Sequence, residues 1–129
     1  MPNNPQNSNT PQTARLRGAA IEQQAAQWLQ RHGLILVASN HHVKGGELDL
    51  VMRDRDILVF IEVKHRTTTR YGHPLETVTP QKRNRLIRAA KLYIARHAIS
   101  SPCRFDILAI TGTSPALEFQ WEKAAFDAY

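Results

Sequence analysis

The sequence predicts an α/β fold, a mixed β-sheet flanked by helices, and three observations predict it. Two long segments place apolar residues at helical spacing and five shorter ones read as strands, in the order helix, strand, strand, strand, helix, strand, strand. The central strands form a hairpin and therefore pair antiparallel. The second helix is long enough to return the chain for a parallel neighbour, which makes the sheet mixed.

Each element has its own justification. Met1 to Thr13 holds three Pro, four Asn and two Gln but no charge and almost nothing apolar, so residues 1–13 are expected to be a disordered tail before a single domain at 14–129. From Arg15 to His32, Ile21, Ala25, Trp28 and Leu29 fall at i, i+4, i+7 and i+8, one stripe of an amphipathic helix that Gly33 stops. Glu22 borders that stripe. Leu34 to Ala38 has strand length, and Ser39 to Gly46 reads as a polar loop ending in a Gly-Gly turn.

In the next strand Leu48, Leu50 and Met52 alternate with Glu47, Asp49 and Val51. After the turn Asp54-Arg55-Asp56, Ile57, Val59, Ile61 and Val63 take one face while Leu58, Phe60, Glu62 and Lys64 take the other. Thr67 to Thr79, with Gly72 and Pro74, is a long loop. Thr79-Pro80 is a helix start, since Thr caps and Pro tolerates the first helical position. The helix from Gln81 to about His97 gathers Leu86, Ile87, Ala90, Tyr93 and Ile94 on one side. Arg104 to Ile110 and Leu117 to Trp121 are strands joined by a Thr-Gly-Thr-Ser-Pro turn.

At 129 residues the chain suits one soluble domain. Its single Cys103 excludes an internal disulfide framework. The first residues lack the basic start and apolar run of a signal peptide, and the longest apolar run, Ile57 to Ile61, is far below the ~20 residues of a membrane span. The expectation is a cytoplasmic protein with no membrane partner. With 17 Lys+Arg against 11 Asp+Glu and a pI near 10.0, the partner class is polyanionic. The basic excess is local: Lys82, Arg83, Arg85, Arg88, Lys91, Arg96 and Arg104 lie in one stretch without an acid.

The chemistry concentrates on the hairpin. Glu62 and Lys64 interrupt the Leu58-Phe60 face of a strand apolar enough for a core, and Asp49 stands on the partner strand. Buried charges cost several kcal/mol unless paired or metal-bound. Two carboxylates and an ammonium on adjacent strands make a set of hard ligands suited to Mg²⁺, with Mn²⁺ as an acceptable substitute. A lysine beside such an ion can serve an attacking water or steady charge on a phosphate. Taken alone, E-x-K is also what an ordinary surface ion pair at a strand end looks like.

Gly45-Gly-Glu-Leu-Asp-Leu-Val51 followed by Val59-Phe-Ile-Glu-Val-Lys-His-Arg66 resembles the D-(x)n-E-x-K pattern of the PD-(D/E)xK nuclease superfamily. More closely, the chain resembles the YraN-like family of small bacterial proteins, which are similar to archaeal Holliday junction resolvases. The likeness runs from Arg17-Gly18 through Glu22, Asn40, both motifs, Gly72 and Lys82 to Arg104-Phe105-Asp106. It implies a restriction endonuclease-like core, Asp49 and Glu62 as metal ligands, Lys64 as the residue serving the attacking water, and Glu22 completing the site from the first helix. Leu48, Ile61 and His65 depart mildly from the family pattern, and none of these changes removes a ligand.

The resemblance implies a Mg²⁺-dependent endonuclease acting on DNA, branched DNA included, with a homodimer by analogy to the two-fold symmetry of a junction. Lys82, Arg85, Arg88 and Lys91, with Arg66 and Arg70 in the flanking loop beside His73, are the expected phosphate contacts. The alternative is a non-catalytic nucleic-acid-binding adaptor in recombination, repair or DNA uptake; an RNA-associated factor would carry the same basic charge. His41-His42 and Cys103 lack zinc spacing, Trp28 and Trp121 are expected in the core, and Asp106 is expected to partner Arg104 or a nearby backbone group.

Overall fold

A computed structural model describes residues 11–68, 70 and 78–127. Its elements are helix α1 (Pro11–Arg31), strands β1 (Ile35–Val43), β2 (Gly46–Asp54) and β3 (Ile57–Arg66), helix α2 (Pro80–Arg96), and strands β4 (Cys103–Thr113) and β5 (Ala116–Phe126). The five strands lie in chain order in one sheet. Only β3 and β4, joined through α2, pair in parallel; the other neighbours are antiparallel. This is the α/β class with a mixed sheet between helices, consistent with a restriction endonuclease-like core.

Local chemistry sets the helix ends. The α1 stop is a Schellman motif: Leu34 N–H donates to Leu29 C=O and Gly33 N–H to Gln30 C=O, with Gly33 at φ 99°. Thr79 caps α2 by accepting the Lys82 N–H at 3.2 Å, and Pro80 follows in the first helical turn. Residues 1–10 of the expected tail lie outside the described residues. α1 already begins at Pro11, four residues before the predicted Arg15, because proline suits a helix start. Most of the expected Thr67–Thr79 loop, with Gly72, His73 and Pro74, also lies outside them.

Two apolar clusters hold the layers together. Ala25 and Leu29 of α1 pack on Leu50, Met52, Val59, Ile61, Leu108 and Ile110, with Trp28 and Trp121 at the border. Leu86, Ala89, Ala90 and Tyr93 of α2 pack on the opposite face, against Val51, Leu58, Phe60 and Phe105. Trp28 stacks on His32 and Phe119 at centroid distances of 3.8 and 5.3 Å, a packing role.

Two expectations are corrected. The segment from Ser39 to Val43 is strand rather than loop: β1 continues to Val43 and pairs His41 with Leu48 and Val43 with Gly46. Its polar residues are those of an edge strand facing solvent. Leu48 packs with Val51 and Leu86 in the α2 cluster, not with Leu50 and Met52. The cause lies at Gly46, where an added Cβ would sit 3.1 Å from Arg85 O and 3.3 Å from Ala89 Cβ. The missing side chain lets α2 press onto the start of β2 and cover Leu48.

Asp106 is fully buried and accepts from Arg104 Nε (2.9 Å), Arg104 Nη2 (3.1 Å), Trp121 Nε1 (2.9 Å) and the Ala124 N–H (2.9 Å). It thus ties β4 to β5 and meets both partner types expected of it. Asp106→Ala leaves the Trp121 and Ala124 donors without their acceptor and Arg104 with Asp54 alone, and a loss of about 3–5 kcal/mol is expected in urea unfolding. An unchanged midpoint would show that water replaces the carboxylate.

Candidate functional site

The site forms where β2 and β3 part. Their backbone pairing ends at Leu50 opposite Ile61; beyond it the Val63 N–H donates to Asp49 Oδ2 at 2.9 Å. A side-chain carboxylate takes the place of a strand carbonyl, which fixes Asp49 in the opening between the strands. Glu62, 6% exposed, follows Ile61 on β3 and lies beside Asp49.

α1 and the β1–β2 hairpin bring further acids. Glu22, Glu47 and Asp49 present carboxylate oxygens all within 4.8 Å of one another. Glu22 Oε2 is buried without a hydrogen-bond partner among the described residues. Three acids at this distance repel. Burial first, and then the charge of Glu47, push Glu22 up to about 7, against the pull of a hydrogen bond from Asn40. Burial first, and then the charge of Glu62, push Asp49 up to about 8, against the Val63 N–H.

Two lysines face this acid cluster. Lys82, from the first turn of α2, holds Glu62 with Nζ 2.7 Å from Oε1. Lys64, on the same face of β3 as Glu62, meets Lys82. Burial, followed by the Lys82 hydrogen bond and charge, brings the Lys64 ammonium down to about 8. Burial works against the Lys82 charge, but its bond to Glu62 and the Glu62 charge hold Lys82 above its ordinary value.

Two grooves meet here. One, of about 680 Å³, runs between the β1–β2 turn and α2 past His42, Glu47, Asp49, Glu62, Lys82 and Arg85. The other, of about 770 Å³, lies on the α1 side and reaches Glu22, Asp49, Glu62, His65 and Thr113. His65 is anchored through Nε2 to the Gly112 carbonyl at 2.8 Å. Both are of a size that admits a ligand segment.

The structure therefore gathers all four expected site residues, Glu22, Asp49, Glu62 and Lys64. It adds two that the sequence pattern places elsewhere or leaves unassigned. Glu47 is legible two residues before Asp49, since a period of two puts both on one face. Lys82, expected at phosphates, instead enters the acid cluster; only the crossing of α2 over β3 could reveal that. Arg85 lines the first groove and Arg88 lies over Gly45. Lys91 stands away from the acids, in a cleft with Arg104 and Cys103. Arg66 is exposed at the end of β3 and near enough to influence Lys64, while Arg70 follows in the loop.

No zinc set emerges among the described residues. His41 packs edge-on to Tyr93 at 5.2 Å, whereas His42 lies 3.9 Å from Glu47. The Cys103 thiol donates to Ser101 C=O at 3.6 Å, and burial pushes it up, away from thiolate chemistry.

The donor set fits a hard divalent ion: every candidate ligand is a carboxylate oxygen, one buried oxygen lacks a partner, and burial with mutual repulsion favours the protonated acids. The same two causes give a stability prediction. A carboxyl whose folded value lies above its unfolded one stabilises the fold while protonated and loses that contribution as pH rises. For Glu22 and Asp49 the loss runs from pH 4.5 and 3.8 up to about 7 and 8. Lys64 is charged in both states below about 7 and does not oppose it. The metal-free protein is expected to lose roughly 1 kcal/mol per pH unit between pH 5 and 7. Urea unfolding across that range checks this, and a flat or rising profile would refute it.

Residues 21–110 match the model of the Uncharacterised protein family UPF0102. The chain is similar to a UPF0102 protein of Chromohalobacter salexigens, at 53% identity over 122 residues covering 95% of this chain and 99% of the relative. It is also similar to UPF0102 proteins of Klebsiella pneumoniae (45% over 118 residues; 89% of each chain) and Nitrosococcus oceani (44% over 118 residues; 90% and 95%).

Proposed function

The chain belongs to the UPF0102 family, and from that premise and the acid cluster at the β2–β3 opening we propose that it is a Mg²⁺-dependent nuclease that hydrolyses phosphodiester bonds in DNA. One observation carries the reading: four carboxylates from three elements and two lysines converge where two grooves meet. A binding module has no use for so costly a cluster. The D-(x)n-E-x-K pattern of PD-(D/E)xK nucleases, which Asp49, Glu62 and Lys64 resemble, supports it, and the similarity to Holliday junction resolvases directs attention to branched DNA.

In this reading Asp49 and Glu62 hold the ion, with Glu22 and Glu47 closing the carboxylate set. A divalent ion there supplies Lewis-acid polarisation of the phosphate and a lowered pKa for water. Lys82 keeps Glu62 oriented toward Asp49. Lys64, brought down to about 8, takes a proton from the attacking water as the neutral amine, or as the ammonium steadies charge on the phosphate. Arg85, on the α2 wall of the first groove, and Arg88, over Gly45, position the phosphate backbone without reading sequence.

The test is incubation with linear, flapped and four-way junction DNA, with and without Mg²⁺. Metal-dependent cleavage of at least one shape is the expected result. Binding without cleavage of any shape would replace the enzyme by the adaptor. For binding itself, the double variant Arg85→Ala/Arg88→Ala is expected to lower the slope of log K against log salt by roughly 0.9 for each phosphate no longer neutralised. An unchanged slope would move the DNA-binding face elsewhere.

A further inference from the structure

The two edges of the sheet are finished differently. β5 carries Glu118, Glu122 and Lys123 along its length, the charged residues with which natural edge strands deter further pairing. β1, the opposite edge, has no charge between Gly33 and Asn40. There Ile35, Leu36 and Val37 are 64%, 38% and 43% exposed, three of the four large hydrophobic side chains that the described residues leave exposed. Successive strand residues point to opposite faces, so this end of β1 is uncovered on both faces at once. No strand lies outside it among the described residues.

A helix would cover one face and leave the backbone edge open. What fits is a strand with apolar residues on both of its own faces and no charge to bury. β1 is itself such a strand. We infer that the Ile35–Val37 segment of β1 is a dimer interface, pairing antiparallel with the same segment of a second copy. Around a two-fold axis near Leu36, Leu36 meets its own equivalent and Ile35 meets Val37 of the second copy, so apolar residues face apolar residues throughout, and two chains that are basic overall approach through their neutral segment. Ile35 and Leu36 keep regular pairing with Arg53 and Met52 on the β2 side, and the register shift falls between Leu36 and Ala38.

Such an axis stands perpendicular to the sheet, so both α2 helices fall on one side of a ten-stranded sheet. Asp49 lies level with Asn40, between the His41–Leu48 and Ser39–Leu50 pairs. The two acid clusters then lie on the order of 25 Å apart, from strand rise and spacing. The inference stands on the edge alone and does not depend on whether the clusters cut DNA.

Sedimentation equilibrium tests it at about 100 μM, where a low-micromolar interface is saturated. The protein is expected as a dimer and the Ile35→Lys/Val37→Lys variant as a monomer with unchanged far-UV circular dichroism; both positions are exposed, so the fold tolerates the change. In a Cys103→Ser background, Leu36→Cys is expected to oxidise to a covalent dimer, since cross-strand Cα atoms fall within disulfide reach. A monomeric parent protein, a dimer that survives both lysines, or failure of Ile35→Cys, Leu36→Cys and Val37→Cys alike to crosslink would overturn it.

Discussion

Lys64→Ala is expected to lower metal-dependent DNA cleavage by ~10²–10³ while leaving DNA binding and metal affinity within a few-fold of the parent. The carboxylates that hold the ion do not depend on Lys64, because Glu62 is tied to Lys82 rather than to it. Lys82 cannot substitute: its ammonium is committed to Glu62 at 2.7 Å and is held above its ordinary value, so it does not surrender a proton near neutrality. Lys64→Arg is expected to stay inactive, since a guanidinium remains charged and its planar fork needs more room than the space beside Lys82. Single-turnover cleavage with saturating protein separates this loss from weakened binding. If Lys64→Ala cuts as the parent does, the activity comes from a contaminant or another site.

The second large effect concerns the ion. Asp49→Asn is expected to weaken Mn²⁺ binding by roughly 100-fold or more, beyond the 10–100-fold typical of losing a group that only supports a ligand. Calorimetric titration reads it directly. The amide oxygen can still accept the Val63 N–H, so the strand opening survives while the cost of holding a crowded acid there disappears. Metal-free Asp49→Asn is therefore expected to unfold at higher urea than the parent at pH 7.

Glu62→Gln should behave oppositely in stability, because it leaves Lys82 and Lys64 facing each other without the carboxylate between them. The pair of variants thus separates ligand loss from general damage. If Asp49→Asn binds Mn²⁺ as the parent does, Asp49 is not a ligand.

Much of this arrangement is written in local sequence. The alternation from Ile57 to Lys64, the Thr79-Pro80 cap and the Ile21–Leu29 stripe each follow from short-range periodicity, and each appears in the structure with its expected face. Glu62 and Lys64 could be singled out because they break an apolar face. What local patterns do not carry is the crossing of elements. β1 outlasts its apolar run because a hairpin partner satisfies its backbone whatever its side chains are. Leu48 changes cluster because α2 lands on Gly46. Lys82 reads as one more cation on a basic helix, and only the docking of α2 turns it into the counter-ion of Glu62.

The bond from the Val63 N–H to Asp49 gives the site a built-in reporter. An amide whose acceptor is a titrating carboxylate shifts its proton resonance when that acceptor gains or loses charge, whereas its sheet neighbours donate to carbonyls that never titrate. In an ¹⁵N spectrum the Val63 cross-peak should follow the protonation of Asp49. A diamagnetic ion such as Mg²⁺ taken up by the same carboxylate should move that peak as well. Occupancy of the acid cluster could then be followed from one backbone signal, without DNA, cleavage or a probe attached to the protein.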